Sequence, residues 1–282
     1  MEKIETIVRE HYSVGDLAKR ILDGLVDAGV DLERLTIEDL AVIDEFHIGG
    51  REATKYIISN LSLSANEHVL DVGCGIGGAG RTVVSLVGCR VTGIDLTPEY
   101  VEVAKILTKL TGLDGKADFK TASALAMPFD NEVFDAALTI HMSMNILDRD
   151  ALYREVYRVM KPDALLCIYD VMKKGDEPIS FPVPWAETSK SSRLVKAEEM
   201  PSLLENAGFE VCKVEDRSEF AFDYFKRRLA AVNNGPSSLG PHVIMGTTAR
   251  EKFQNINRNM ESGRIAPVMV LARRIQNGSE QS

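Results

Sequence analysis

An α/β fold built on a doubly wound sheet is what this sequence predicts, and three observations carry the reading. From about Asn66 onward, apolar runs of strand length alternate with helix-length amphipathic stretches, a grammar that covers a sheet on both faces. The run VLDVGCGIGGAGR, Val69–Arg81, sets an acid at the end of an apolar strand and glycines at the turn into a helix. Asp95 closes the next apolar run, VTGIDL, about 20 residues on, the distance at which an acid meets a ribose.

The elements follow in order. Leu17, Ile21, Leu22 and Leu25 make one helical stripe, and Leu35, Ile37, Leu40 and Ile43 suggest another. Gly49–Gly50 then opens the amphipathic helix REATKYIISNL. Residues 1–60 therefore read as an N-terminal helical cap or lid, and 61–275 as the core. Strand candidates are His68–Val72, Arg90–Ile94, Ala117–Thr121, Phe134–Ile140, Ala164–Asp170, Phe209–Glu215 and Ala266–Arg273, the alternation arguing a parallel sheet. Helical stretches lie at Gly78–Val87, Pro98–Thr111, Arg149–Met160 and Ala197–Ala207. Pro98 suits a first helical turn, and Lys161-Pro162 ends the third of these helices.

Two insertions interrupt the alternation near the strands' carboxyl ends. A Pro-, Ser- and Lys-rich stretch near 173–195 follows strand five. After strand six, residues 217–262 hold a helix over Ser218–Val232, a Gly/Pro/Ser loop at Asn233–Pro241 and a helix near Thr248–Met260.

Composition narrows the function. The 282 residues, 45% hydrophobic, suffice for a large core in one domain with a cap. A net charge of −9 without a dense basic block argues against nucleic acid, because neutralising phosphates needs clustered Lys and Arg. The short run Lys226–Arg228 reads as a solvated helix face. Cys74, Cys89, Cys167 and Cys212 are scattered and read as small buried apolar residues, with no metal-ligand spacing. A charged N-terminus and the lack of a membrane-length apolar run point to a soluble, cytoplasmic protein.

Gly73, Gly75 and Gly78 also satisfy the dinucleotide fingerprint G-x-G-x-x-G, which alone is weak. A P-loop is excluded, since no Gly-Lys-Ser/Thr follows. A tight turn that binds nothing is the bland alternative.

Context separates these options. Asp71 precedes the first glycine in LDVGCG, Asp95 follows, and LAMPFDNEVFD and RVMKPDALL come downstream in that order. From about Asn66 the chain thus resembles the class I S-adenosylmethionine-dependent methyltransferases. The resemblance implies a Rossmann-like, seven-stranded doubly wound sheet with S-adenosylmethionine as methyl donor. It further implies backbone contacts from Gly73 and Gly75, Asp71 near the donor's amino-acid end, Asp95 on both ribose hydroxyls, and Leu96 on the adenine. Many members carry an acid for the adenine amino group where this chain has Ser123. The serine hydroxyl or the backbone of Ala124 would have to substitute.

A nearer resemblance lies outside that core. HYSVGDLAKRI, DEFHIGGREATKYI, HMSMNI and PVPWA are similar to segments of sarcosine/dimethylglycine N-methyltransferases. That likeness implies a small-molecule acceptor, an amine nitrogen preferred. O- or C-methylation of a secondary metabolite is the alternative, and a donor-binding protein without turnover is a further one. A cavity lined by Phe and Met would favour the O- or C-methylation; a small polar cavity with an Arg would favour the amino acid. No nucleic-acid, membrane or metal partner is expected, and a homo-oligomer is left open.

Candidate site residues follow from position. His141, at the end of strand four, is the leading candidate for substrate positioning or proton removal, since ligands bind beyond the strands' carboxyl ends. Contact with the donor or capping of a helix is its bland alternative. Asn145 reaches the same space if HMSMNI turns helical, whereas Met142 and Met144 read as packing. Trp185 reads either as a cation–π wall or as a loop anchor. His47 and Gly50, at the Gly-Gly turn, are expected at the donor's methionine end, with Tyr12 above them. Arg81 is expected to serve the donor's helix; Arg193 reads either as a partner for a substrate carboxylate or, by default, as an exposed surface residue.

Overall fold

The computed structural model describes residues 15–232, 239–240 and 242–276, together with Glu5, Thr6, Arg9 and Tyr12. From Leu17 to the sheet the described residues form α1 Leu17–Asp27, α2 Ile37–Asp44 and α3 Gly50–Leu61. Then come β1 His68–Val72, α4 Gly78–Val87, β2 Arg90–Asp95, α5 Pro98–Leu110, β3 Ala117–Thr121, β4 Phe134–Ile140, α6 Arg149–Val159 and β5 Met160–Lys173. The chain continues through α7 Met200–Asn206, β6 Phe209–Asp216, α8 Ser218–Val232, α9 His242–Met245, α10 Ala249–Glu261 and β7 Ile265–Arg274. Most of the loop expected at Asn233–Pro241 lies outside the described residues.

The seven strands form one sheet in the order β3-β2-β1-β4-β5-β7-β6. β1 to β5 run parallel, while β7 lies antiparallel between β5 and β6. The all-parallel expectation fails at β7 because α8 to α10 leave the chain at the end of the sheet where β6 stops, so the last strand runs back between β6 and β5. β1 sits where the winding reverses, so the crevice opens above β1, β2 and β4.

Alternation within each strand divides the core. Leu70 and Val72 face α6 and α7, packing with Leu152, Tyr153, Val156 and Leu204. Val69 faces the other side, with Ile57 and Leu61 of α3 and Val83 of α4. The N-terminal helices close against α5 through Leu17, Ile21, Leu40, Ile43 and Tyr100. A smaller cluster gathers Met144, Trp185, Ile256 and Ile265, tying the insertion after β5 to α10.

Two local expectations are corrected. β5 starts at Met160, straight after α6, and Pro162 lies inside it. There the β4–β5 register shifts, a place where a missing N–H costs no ladder bond. Cys74, Cys89 and Cys167 are buried, but Cys212 is exposed. It falls at the register shift between Val211 and Lys213 on the edge strand, where a bulge turns a side chain outward. Among the described residues no helix is long and apolar enough to cross a membrane.

Candidate active site

The site is built first from the turn after β1. Gly73 has φ +77°, and a Cβ there would stand 2.1 Å from Met142 Cγ, so the loops after β1 and β4 touch. Gly75 has φ +53° with open space where its Cβ would stand, and it faces a cavity. Its N–H donates to Asp95 Oδ2 at 3.0 Å, and the Thr97 N–H donates to Oδ1 at 2.8 Å. Two backbone donors thus fix the Asp95 carboxylate at the end of β2.

Acids crowd this half of the cavity. Asp71 is buried, its Oδ2 has no hydrogen-bond partner, and burial, with Asp95 and Glu45 nearby, pushes its carboxyl up to about 7. Asp44 is raised to about 6 by burial in spite of Arg81, and burial also raises Glu45 and Asp95. Arg81 is fully buried, and its guanidinium is engaged by Asp44, Thr108 Oγ1 and the carbonyls of Ala104 and Ile76. An acid surplus whose nearest guanidinium is already paired attracts a cation and repels a pyrophosphate.

The other half is built on the end of β4. His141 has φ +50°, a strained conformation for a side-chain-bearing residue, and its N–H donates to the Tyr169 carbonyl at 2.7 Å. This kink puts the imidazole over the cavity, 5.3 Å from the Tyr169 ring and 5.8 Å from that of His47, centre to centre. Its Nε2 is buried without a partner. Burial, then the adjacent His47, hold its pKa well below the usual histidine range, so the ring is neutral. His47 is lowered to about 4 by burial, and its Nε2 lies 3.0 Å from the Gly50 carbonyl and 3.2 Å from Thr54 Oγ1.

The loop beyond His141 is braced from below. Met142 N–H donates to Asp170 Oδ1 at 2.9 Å, and the Ser143 hydroxyl joins Asp170 to Arg149. Ser143–Asn145 form a single 3₁₀ turn, which brings Asn145 to the cavity. Its amide donates to the carbonyls of Trp185 (2.8 Å) and Ser191 (3.0 Å). Trp185 is buried, lines the cavity and donates to Ser192 Oγ at 3.0 Å, so it is wall and anchor at once.

The cavity measures about 830 Å³. Tyr12, His47, Asp71, Gly73, Gly75, Asp95, Leu96, Ser123, Ala124, His141, Asn145 and Trp185 all line it. Gly50 does not: it is packed under Tyr224, and its N–H donates to the His47 carbonyl. Arg193 lies outside the wall, donating to the carbonyls of Ser189 and Ser192. Sequence reasoning missed Glu5 and the α10 face made by Arg250, Phe253, Gln254 and Asn257. Their spacing of three, four and seven residues marks a helix face, but not what that face covers.

Residues 70–168 match a family model described as a methyltransferase domain. The O-methyltransferase cnsE of Penicillium expansum is 31% identical over 207 residues, 73% of this chain and 75% of that protein. The chain belongs to the class I S-adenosylmethionine-dependent methyltransferases. The methyltransferase GfsG of Streptomyces halstedii is 29% identical over 184 residues, 64% of this chain and 66% of GfsG. The crystal structure of the [4+2]-cyclase SpnF shares the methyltransferase's fold at a TM-score of 0.68 and 22% identity, covering 96% of this chain and 97% of that one. The methyl donor is S-adenosylmethionine. The acid-rich half of the cavity fits it, because the donor carries a sulfonium and an ammonium and no phosphate.

Proposed function

We propose that the enzyme methylates a hydroxyl oxygen on a mostly apolar small molecule, with His141 taking the proton. The observation that carries this reading is the neutral His141, which lines the cavity and whose buried Nε2 has no hydrogen-bond partner among the described residues. Around it the wall is formed by Met142, Met144, Ile146, Trp185, Phe225 and Phe253. A sarcosine-like acceptor would need a cation for its carboxylate: the Arg193 guanidinium is turned to backbone carbonyls, and Arg250 on the α10 face is the arginine lining the cavity that the amine reading would use. At about 830 Å³ the cavity lies high in the range of about 300–1,000 Å³ usual for small-molecule sites, room for a donor and a second molecule.

In this reading the donor half holds S-adenosylmethionine through Asp95 at the ribose and the turn at Gly73 and Gly75 beneath it. Asp71 and His47 stand at the amino-acid end, while Leu96, Ser123 and Ala124 stand at the base. When bound, the donor supplies an electrophilic methyl group on a positively charged sulfur. His141, as the Nδ1–H tautomer, offers Nε2 to the acceptor's O–H. A base held this weak does not ionise the hydroxyl in advance; it takes the proton as the new O–C bond forms. The apolar wall excludes water that would compete as acceptor. Tyr169 and His47 pack on the imidazole and limit its rotation.

The test is turnover with S-adenosylmethionine and a panel of phenols, hydroxylated polyketides, glycine, sarcosine and dimethylglycine, followed by adenosylhomocysteine release and product mass. An O-methylated apolar product is expected. Turnover confined to the amino acids would replace this reading with the amine one.

A further inference from the structure

The strand order fixes which way the donor must lie. Asp95 ends β2, His141 ends β4, and β3 lies on the far side of β2. With the ribose at Asp95 and the methyl group directed toward His141, the adenine extends to the end of β3, over Leu96, Ser123 and Ala124. An adenine edge presents an amino group there, and a buried amino group needs an acceptor.

The end of β3, residues 121–125, carries no carboxylate, and its serine is already engaged. The Ser123 hydroxyl already accepts from the Leu125 N–H at 3.2 Å, and its proton goes to Glu5 Oε1 at 2.5 Å. Glu5 reaches this point from the other end of the sequence and lines the same cavity. A carboxylate offers about four lone-pair positions, so one bond from Ser123 leaves it able to accept more.

We infer that Glu5 is the adenine-recognising acid of this enzyme, held at the base edge by Ser123, so that an N-terminal residue supplies what the strand end lacks. The inference rests on the donor occupying the cavity as proposed. Ser123 then acts as a positioning residue: it orients the Glu5 carboxylate and does not meet the base amino group itself.

The test is calorimetric binding of two ligands, adenosylhomocysteine and its analogue with purine in place of adenine, which lacks the amino group. The wild-type chain is expected to prefer adenosylhomocysteine by about tenfold, the size of a charge-assisted hydrogen bond. Glu5→Ala should weaken adenosylhomocysteine by that factor and leave the purine analogue unchanged, closing a double-mutant cycle. Glu5→Gln, which keeps one acceptor oxygen, should retain part of the preference. Equal affinity of the wild type for both ligands, or an equal loss for both in Glu5→Ala, overturns the assignment while leaving the donor site intact. No binding of adenosylhomocysteine to the wild type removes the donor reading and this inference together.

Discussion

The Tyr12 hydroxyl donates to Asn145 Oδ1 across 3.3 Å, joining the N-terminal segment to the loop beyond β4. Tyr12 packs edge-on against Tyr100 with ring centres 5.8 Å apart, on the donor side, where the chain just beyond it is held by Glu99 through Gly15 and Leu17. Asn145 gives its two amide protons to Trp185 and Ser191. Its polar atoms are thus engaged by protein, and it fastens the wall between donor and acceptor halves.

Because Trp185 is the sole tryptophan, its emission reports that wall. Adenosylhomocysteine should change the emission of the wild type on binding. Tyr12→Phe keeps the ring and removes the hydroxyl, so saturating ligand should produce less than half the wild-type change, with affinity weakened about fivefold for one lost hydrogen bond. A full-sized change in Tyr12→Phe would show that the Tyr12–Asn145 bond transmits nothing.

His141→Asn should lower kcat by roughly 10²–10⁴, the usual contribution of a positioned proton acceptor. Adenosylhomocysteine affinity should stay within about twofold, since the proposed role is in proton transfer rather than donor binding. The pH profile should be flat from about pH 6 to 8 as far as His141 is concerned, because its pKa lies well below the usual histidine value of 6.5. Retained kcat in His141→Asn, checked by single-turnover kinetics, would remove the base.

The buried ion pair of Arg81 and Asp44 sets a stability prediction. Arg81→Met leaves Asp44 buried without its cation and should cost about 3–5 kcal/mol. Arg81→Met combined with Asp44→Leu removes both charges and should recover most of that loss. Urea denaturation of the three chains at pH 7 measures it; equal stability of the single and double variants would show that the pair is not what holds α2 to α4.

The sheet was legible in sequence because buried parallel strands are short apolar runs. His68–Val72 and Phe134–Ile140 begin and end where the apolar pattern does, while the edge strand Ala117–Thr121 shows through its alternation. The donor half was legible for a related reason: Asp71, Gly73, Gly75 and Asp95 lie within 25 residues, on two adjacent strand ends. The acceptor half was not. Phe253 and Asn257 share a cavity wall with Met142 and Trp185 only because α10 crosses the strand ends before β7 returns antiparallel. Nor does one acid in a charged N-terminus advertise that Glu5 meets Ser123, a contact across 118 residues.

Asp71 gives the last prediction, a pH-dependent donor affinity. Its folded pKa, about 7, stands above the ordinary aspartate value of 3.8, so between these values, without ligand, the folded chain holds a proton that the unfolded chain has lost. That contribution to stability is full below pH 3.8 and fades as pH rises through about 7. A donor ammonium placed at this carboxylate favours its ionised form, so binding at pH 6 should release close to one proton. Adenosylhomocysteine affinity should then rise about fivefold between pH 6 and 7, reach about tenfold in all by pH 8 and level off above it, a direction set by the raised pKa. Calorimetry in buffers of different ionisation enthalpy counts the proton directly. Asp71→Asn, which cannot release one, should bind more weakly at pH 8 and lose the slope. An unchanged slope in Asp71→Asn would move the titration to another group, with the neighbouring Glu45 the first to be tested.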